Sequence, residues 1–471
     1  MQFTYKSISQ SIKNGELDHD YISSLCQDPK LVSLIKSDSA GEGFGIHHKI
    51  CDIIEEDFIA NKINIDNCDI NEISSYNFSY LLPNIFINSR IDKSKFFLKI
   101  KDIHYKILLT RKPIVQYIFE EFTKLVDHLS PDKLFTFLLA CKGHNILRAN
   151  DEEKVLREVI ERIDCINKDE DLIAGLSKRL ECRSKNKNSL YCAPKKNIAL
   201  LITGQLRGYE KALPYLTNLF DDISKVDIYI STWLAIGYPR ITNENLYRIF
   251  DLEAKQWVKE NLHIDDINAL FNSLTCEENN KDKILQSLKN IFPESSLNIN
   301  IENEQSIKFA DMTNPEKMYY HNNFWLDKLG GKFFQDKYEL VIKSRPDIQL
   351  ESNNFLFDKA IYSTNAIYTE DKSGWIYRDW GFGCGDQIIF GTPQSILPIL
   401  SVHGDQLNIN LSQKASTSGH QYAGHVNCGV QAWLNGIDCL PMPLIHKGLK
   451  PASILNLSET MDFFEINSQK S

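Results

Sequence analysis

The sequence predicts a mainly α-helical domain followed by an α/β domain with a mostly parallel sheet. Three observations predict this order. A polar, basic and aperiodic stretch at residues 183–189 places a domain boundary at about residue 190. Before it, apolar residues recur at three- and four-residue steps, as they do in helices. After it, short apolar runs alternate with helical segments, so we assign residues 1–190 and 191–471 to the two domains.

Composition excludes several classes of protein. The 471 residues are enough for two or three domains, and with 42% apolar and 24% charged residues the chain can form buried cores. The 53 basic and 62 acidic residues leave a net charge of −9, which argues against broad binding to nucleic acid or anionic membranes. No apolar run approaches the roughly 18 residues that span a bilayer.

Two features predict a cytoplasmic protein. The first residues, Met1 to Lys6, lack a basic segment followed by an apolar stretch, so no secretory signal is expected. The 11 cysteines are an odd number without Cys-x-x-Cys spacing, which is typical of thiols in a reducing compartment. Structural zinc and a disulfide scaffold are therefore not expected.

The helical domain contains three start signals. Pro113 fits the first turn of a helix. Ser130 and Pro131 are typical of an N-cap and a first helical residue, and this second helix is expected to stop before Gly143. A third helix is expected from Asp151. The apolar stripes are interpreted as core packing, and the size and amphipathicity of the domain favour binding of an assembly partner or of the acceptor.

The α/β domain alternates strands and helices along its length. Strands are predicted at residues 198–202, 226–231, 297–301, 338–343, 360–368, 387–390 and 439–445. Helices are predicted at residues 209–220 and 319–330, with a charged, largely helical insertion at 241–290. In such a sheet ligands bind beyond the carboxyl ends of the strands, so the residues that follow each strand are the candidates for chemistry.

The first candidate is Thr-Gly-Gln-Leu-Arg-Gly at residues 203–208, directly after the opening strand. Its glycines allow a tight turn and a close approach of the backbone to a ligand, and Arg207 is placed to face a phosphate. The segment is neither a dinucleotide fingerprint nor a P-loop. The alternative is a plain strand-to-helix turn with a surface arginine.

The second candidate is the Arg-Pro-Asp sequence that ends the strand at residues 338–343. It places the Asp347 carboxylate at the edge of the sheet, where a divalent cation would bridge it to a diphosphate. Pro346 stops the strand and fixes the turn. The alternative is an ordinary turn that carries an ion pair between Arg345 and Asp347.

The third candidate is the glycine- and aromatic-rich stretch at residues 375–387. Trp375, Tyr377 and Trp380 are suited to stacking on a sugar ring. Asp386, just before the next strand, is suited to accept hydrogen bonds from hydroxyl groups or to remove a proton. The alternative is a structural turn.

The fourth candidate follows the last predicted strand. His446 is a ligand type that suits a transition-type divalent ion, and Lys450 is placed to neutralise a phosphate. A single histidine is more often a plain surface or packed residue, so this segment carries weight only in combination with the other three.

The chain resembles bacterial surface-polysaccharide glycosyltransferases of the GT-A fold in the order of three motifs along the sequence. These are Thr-Gly-Gln-Leu-Arg-Gly after the first strand, the Arg-Pro-Asp segment, and the Gly-Asp-Gln segment before a later strand. The pair Asp386–Gln387 and the terminal His-x-Gly with Lys-Pro are also similar to family 8 glycosyltransferases, which include glycogenin and lipooligosaccharide galactosyltransferases. The resemblance covers about residues 196–452. It implies a GT-A-like (Rossmann-like) domain that takes a sugar from a nucleotide-sugar donor to an oligosaccharide or lipid-linked glycan. It also implies capsule or lipopolysaccharide synthesis at the inner face of the membrane, with peripheral association through other assembly proteins.

Position by position, the resemblance implies a role for each candidate. Asp347 and His446 would bind Mn²⁺ or Mg²⁺, and Asp386 would be the catalytic residue. The acceptor side would be shaped by Trp375, Tyr377 and Trp380. The nucleotide sugar would be contacted by Thr203, Gly204, Gln205, Arg207, Arg345, Asp347, Gln387 and Lys450.

The sequence departs from family 8 at two points. Arg345 replaces the first Asp of the Asp-x-Asp motif, and the spacing after His446 is shorter. Both leave open whether a cation or Arg345 itself neutralises the diphosphate. Two other functions remain as alternatives: a non-catalytic glycan-binding or scaffold protein on a degenerate transferase fold, and a transferase of a phosphoryl-linked group to polysaccharide.

Overall fold

The computed structural model describes most of the chain after residue 99. It describes residues 100, 105–106, 108–109, 111–126, 129–147, 149–166, 169–186, 197–217, 220, 225–235, 246, 249–268, 280–293, 295–350, 365–370, 384–416, 421–441, 449–451 and 455–468. These residues divide into two compact units. The first unit takes those up to Ile173 together with 414–416, and the second takes the rest.

Every described secondary-structure element of the first unit is a helix. These are α1 Lys112–Glu120, α2 Phe122–Leu125, α3 Pro131–Gly143, α4 Ala149–Ile166 and the start of α5 Glu170–Asn186. Pro113 lies in the first turn of α1, as predicted. The hydroxyl of Ser130 accepts a hydrogen bond from the backbone N–H of Lys133 at 3.3 Å, so Ser130 is the predicted N-cap of α3. Helix α3 includes Gly143, one residue further than predicted.

The second unit is built on a seven-stranded, mostly parallel sheet, which confirms the predicted α/β class. The strands are β1 Ile198–Thr203, β2 Val226–Trp233, β3 Ser296–Glu302, β4 Leu340–Ser344, β5 Ile348–Leu350, β6 Ala366–Thr369, β7 Ile388–Gly391, β8 Asp438–Pro441 and β9 Leu449–Pro451. The order in the large sheet is β3-β2-β1-β4-β7-β6-β8. Strand β7 alone runs against its neighbours, and β5 pairs with β9 in a separate two-stranded sheet.

The remaining α-helices belong to the second unit, except that the last two residues of α12 fall in the first. They are α6 Tyr209–Thr217, α7 Leu252–Asn261, α8 Asn280–Ile291, α9 Asn314–Leu329, α10 Gly331–Lys337, α11 Pro393–Leu400, α12 Gln406–Ala415, α13 Gly424–Leu434 and α14 Leu457–Ser468. Helices α7 and α8 match the predicted helical insertion, whereas α10, α11, α12, α13 and α14 were not predicted. No helix in the described part of the chain is long and apolar enough to cross a membrane.

Strand β1 is buried on both faces because helices cover the sheet on both sides. Ala199 and Leu201 belong to one apolar cluster, and Leu200 and Ile202 belong to another. Successive side chains of a strand point to opposite faces, so both faces of β1 pack against apolar neighbours. The short, continuous apolar run that predicted this strand is typical of such a central parallel strand.

Helix α9 begins five residues before its predicted start at residue 319. Thr313 and Glu316 form a capping box, in which each side chain accepts a hydrogen bond from the backbone N–H of the other residue. This satisfies two N–H groups that would otherwise have no partner at the start of the helix. Thr-x-x-Glu was therefore the start signal in the sequence.

The strand order changes direction between β1 and β4. From β1 the chain proceeds to β2 and β3 on one side, and β4 then lies on the other side of β1. In open α/β sheets a crevice forms at such a switch point, outside the carboxyl ends of the strands. The residues that follow β1 and β4 are therefore the candidates for ligand binding.

Candidate functional site

A glycine turn follows β1 at the switch point. Gly204 has φ of 116°, a conformation that favours glycine. Its N–H donates to the carbonyl of Ser231 at 3.1 Å, and its carbonyl accepts from the hydroxyl of Thr232 at 2.8 Å, so β2 holds the turn on both sides. Among the described residues, a Cβ built on Gly204 would have only Pro346 Cδ within 4 Å, at 3.8 Å. The turn therefore lies directly beside the Arg-Pro-Asp segment that ends β4.

Two arginines meet one buried aspartate at this point. Arg345 donates from Nε to Asp347 Oδ1 at 2.9 Å and from Nη2 to Oδ2 at 2.7 Å. Arg207 approaches the same Oδ2 with its Nη2 at 3.4 Å. The carboxylate is almost fully buried, whereas both guanidinium groups keep about a quarter of their surface exposed (23% and 29%). The structure thus brings together three of the predicted site residues, from the ends of two adjacent strands.

The charge of Arg345 is secured by its surroundings. Burial acts to lower the pKa of its guanidinium group, but the negative charges of Asp347, Asp386 and Glu370 outweigh burial and raise that pKa. Arg345 therefore stays cationic at every physiological pH. The carboxylates of both the Asp347 segment and the Asp386 segment contribute to this effect.

The arrangement around Asp347 fits a divalent cation poorly. Both carboxylate oxygens already accept hydrogen bonds from guanidinium groups, so a cation would have to displace them and lie against two positive charges. Among the described residues, no three His, Cys, Asp or Glu side chains are grouped so that they could hold a metal. The second predicted ligand, His446, lies outside the described residues.

The segment with Lys450 is paired to the strand that follows Asp347. Lys450 in β9 is the partner of Gln349 in β5, two residues beyond Asp347. The backbone therefore carries this predicted phosphate contact to the neighbourhood of the two arginines. The three predicted acceptor-binding aromatics, Trp375, Tyr377 and Trp380, lie outside the described residues.

Asp386 and Gln387 lie on a short segment that a buried glutamate holds. Glu370, which follows β6 and is 2% exposed, accepts at Oε1 from the N–H groups of Asp386 at 3.0 Å and Gln387 at 3.1 Å. Its Oε2 accepts from the N–H of Ile388 at 3.3 Å and from the hydroxyl of Thr369 at 2.9 Å. Three successive backbone donors on one carboxylate fix the path of the chain into β7.

Strand β4 holds the same segment from its other side. Lys343 donates from Nζ to the carbonyl of Asp386, and the N–H of Arg345 donates to the carbonyl of Gln387 at 2.9 Å. Burial lowers the pKa of Lys343, and the negative charge of Asp386 partly offsets that effect. The backbone of Asp386 is therefore fixed by hydrogen bonds at both its N–H and its C=O, so only its side chain can change conformation.

The Asp386 carboxylate is the best placed proton acceptor in the described part of this site. Burial acts to raise its pKa, but His425 when protonated, together with the positive charges of Lys343 and Arg345, lowers it on balance. His425 Nδ1 lies 3.9 Å from Asp386 Oδ1 and 2.8 Å from the carbonyl oxygen of Cys384. Asp386 is therefore ionised at neutral pH, and an ionised carboxylate can accept a proton or a hydroxyl hydrogen bond.

Gly385 gives a first testable prediction. A Cβ at this position would overlap the carboxyl group of Glu370 and the hydroxyl of Thr369, whereas a Cβ at Gly424 would have no atom of the described residues within 4 Å. We expect Gly385→Ala to lower the free energy of unfolding by about 1–3 kcal/mol, because overpacking displaces the Glu370 carboxylate. Gly424→Ala is the matched control and should change it by less than about 1 kcal/mol. Urea unfolding measures both, and equal effects would contradict the prediction.

A largely buried polar cluster connects strands β1, β2 and β3 to helix α9. The hydroxyl of Thr203 donates to Asn322 Oδ1 at 2.7 Å. Ser231 Oγ is 2.7 Å from His321 Nδ1 and accepts from Asn300 Nδ2 at 3.3 Å. Thr203 is 3% exposed and its hydroxyl is bonded to helix α9, so the hydroxyl is not available for the predicted contact with the nucleotide. Gln205, in the turn itself, is half-buried.

His321 gives a second prediction, on pH dependence. Burial, reinforced by the positive charge of Lys308, lowers its pKa to about 3, whereas an unfolded histidine titrates near 6.5. Between these values only the unfolded state binds the proton, so the stability contributed by neutral His321 is lost as the pH falls below 6.5. From pH 7 to pH 5 we expect the wild type to lose about 2 kcal/mol more than His321→Asn. Urea unfolding at the two pH values measures this.

The control for His321 is an exposed histidine. His263→Asn should leave the pH dependence of unfolding as it is in the wild type, because His263 is exposed on the surface. Identical pH dependence in the wild type and His321→Asn would show that the buried imidazole does not resist protonation.

Three residues of the site were missed by sequence reasoning. Glu370 follows strand β6 and so obeys the same rule that selected Asp347, but a Thr-Glu dipeptide carries no motif. Lys343 is inside an apolar strand, where a lysine ordinarily indicates a solvated edge. His425 is at the start of helix α13, which was not predicted. Lys343 and His425 therefore lacked any usable signal in the sequence, whereas Glu370 had one, its position directly after a strand.

The second unit is thus an α/β domain with charged side chains gathered at the switch point of its sheet. Known proteins add nothing to this description. A scan against protein-family models gives no match, and a search of curated proteins gives no significant relative. Function must therefore be argued from the site itself.

Proposed function

We propose that the second unit is a nucleotide-sugar-dependent glycosyltransferase that acts on a surface glycan. The observation that carries the proposal is the meeting of Arg207, Arg345 and Asp347 at the switch point, with Asp386 held on the next segment by Glu370 and Lys343. A sugar transfer needs two things that this arrangement provides. Cationic groups must stabilise the leaving diphosphate, and a carboxylate must act on the sugar or acceptor side.

The arginines supply the first requirement. Guanidinium groups bind phosphate oxygens through paired, charge-assisted hydrogen bonds, and the Gly204 turn lets a ligand approach the backbone. Such donors stabilise the negative charge that develops on the diphosphate as the glycosidic bond to it breaks.

Asp386 supplies the second requirement. In an inverting reaction it would take the proton of the acceptor hydroxyl as that oxygen attacks the anomeric carbon. In a retaining reaction it would position the donor sugar. Its ionised state at neutral pH is compatible with both roles, and the stereochemical course stays open.

The finer assignment rests on resemblance and topology together. A mostly parallel seven-stranded sheet with one reversed strand next to β4 is compatible with a GT-A-like domain. Within that assignment the acceptor is an oligosaccharide or lipid-linked glycan of capsule or lipopolysaccharide synthesis. The protein would then work in the cytoplasm at the inner face of the membrane.

The test is a panel of UDP, GDP, CDP and CMP and their common sugar conjugates, each with Mn²⁺ or with EDTA. We expect one nucleotide class to raise the melting temperature, because a ligand at a hundred times its dissociation constant adds about 2.7 kcal/mol of stability. The matching sugar conjugate should release its nucleotide when acceptor glycan is added. No shift with any nucleotide would overturn the proposal in favour of a glycan-binding scaffold. Transfer of a phosphoryl-linked group would appear as a phosphorylated product.

A further inference from the structure

We propose that this site binds the donor diphosphate without a divalent cation, through Arg345 and Arg207, and that Asp347 orients Arg345 instead of ligating a metal. The inference rests on the proposed function and names how that site holds its substrate. It departs from the resemblance, which implies a metal at Asp347.

The geometry of Arg345 is the first argument. Asp347 contacts the edge of the guanidinium plane that carries Nε and Nη2. A guanidinium group has five N–H donors in a fixed plane, so the edge between Nη1 and Nη2 still offers a second parallel pair. That edge is the right shape for two oxygens of a phosphate group. Asp347 therefore fixes the direction in which the cationic group points.

The occupancy of Asp347 is the second argument. Mg²⁺ takes six oxygen ligands at about 2.1 Å, and Mn²⁺ likewise prefers oxygen-rich sites. Asp347 Oδ2 already lies 2.7 Å from one guanidinium nitrogen and 3.4 Å from another, and Oδ1 lies 2.9 Å from a third nitrogen. A cation at this carboxylate would have to break the two short bonds of a nearly buried ion pair.

Local charge is the third argument. The two guanidinium groups keep 23% and 29% of their side-chain surface exposed, whereas Asp347 keeps 3%. The charge that this ion-pair cluster presents to a ligand is therefore positive, although Asp386 and Glu370 also act on Arg345. A diphosphate is complementary to that charge. Gly204 has a positive φ and carries no Cβ, and among the described residues a Cβ there would make only ordinary contact with Pro346 Cδ at 3.8 Å, so the backbone of this turn can approach a phosphate next to Arg207.

The experiment is calorimetric titration of the full chain with inorganic pyrophosphate in EDTA. We expect measurable binding without metal and at least tenfold weaker binding to Arg345→Gln. Arg345→Lys keeps a positive charge beside the buried Asp347 carboxylate, so this variant should still fold. It loses the paired N–H donors of the guanidinium group and should therefore also bind pyrophosphate at least tenfold more weakly than the wild type. Arg157→Gln, which removes a largely exposed arginine of α4 (63%), is the matched control and should bind like the wild type.

Three results would overturn the inference: binding that needs Mn²⁺, no binding in either condition, or equal binding by the wild type and both Arg345 variants. Turnover of nucleotide sugars, measured beside the titrations, separates this inference from the proposed function. Turnover that requires Mn²⁺, with no pyrophosphate binding in EDTA, would keep the transferase and reject the arginine site. Arginine-dependent pyrophosphate binding without turnover of any nucleotide sugar would keep the site and reject the transferase.

Discussion

Asp386→Asn is expected to lower the turnover number of sugar transfer by about 10²–10⁴-fold while the fold stays intact. The substitution keeps the size of the side chain but removes its charge and its ability to take a proton. The backbone contacts of Asp386 would persist, because its N–H still reaches Glu370 and its carbonyl still accepts from Lys343. The loss should therefore fall mainly on chemistry. A smaller loss of stability is expected as well, because Lys343 and Arg345 lose a compensating negative charge.

Three measurements make the Asp386 prediction decisive. Turnover is measured with the nucleotide sugar found in the panel, and melting temperature and nucleotide binding are measured on the same preparations. Asp265→Asn, an exposed change of the same kind on the surface, is the matched control and should keep wild-type turnover. If Asp386→Asn retained more than a tenth of wild-type turnover, Asp386 would not be the catalytic residue.

Glu370→Ala is expected to lower the free energy of unfolding by about 3–5 kcal/mol, the largest stability loss that we predict. Removing the carboxylate would leave three neighbouring N–H groups, those of residues 386, 387 and 388, without their acceptor in a buried place. It would also leave Lys343 and Arg345 with less compensating negative charge, since Glu370 contributes to the electrostatics of both. Each orphaned buried donor costs about 1–3 kcal/mol.

Urea unfolding at pH 7 measures the Glu370 effect, with the slope of the transition checked against the wild type. Glu370→Gln keeps one acceptor oxygen and should lose less stability than Glu370→Ala. Glu253→Ala, on the exposed face of α7, is the control and should cost less than about 1 kcal/mol. If Glu370→Ala lost less than about 1 kcal/mol of unfolding free energy, water would be replacing the carboxylate. The segment at residues 386–388 would then not depend on Glu370.

The sequence by itself determined where the first four strands of the second unit lie and which residues follow them, but it did not predict β5 or β9. Short apolar runs predicted β1, β2, β3 and β4 to within two residues at each end, because central parallel strands are buried on both faces and so lack polar interruptions. The rule that ligands bind at the carboxyl ends of strands then selected Arg207, Arg345 and Asp347 from a chain of 471 residues. Local pattern was sufficient for these choices.

Tertiary structure alone decided which of these residues meet and what holds them. Arg207 and Asp347 are 140 positions apart, and their contact depends on β1 and β4 being neighbours, which the apolar pattern of neither strand specifies. The reversed direction of β7 likewise depends on pairing with β4 and β6. That pairing brings Glu370 against the N–H groups of residues 386–388 and Lys343 against the carbonyl of Asp386. Hydrogen bonds between distant segments leave no periodic signal in sequence, so these anchors became visible only in the folded chain.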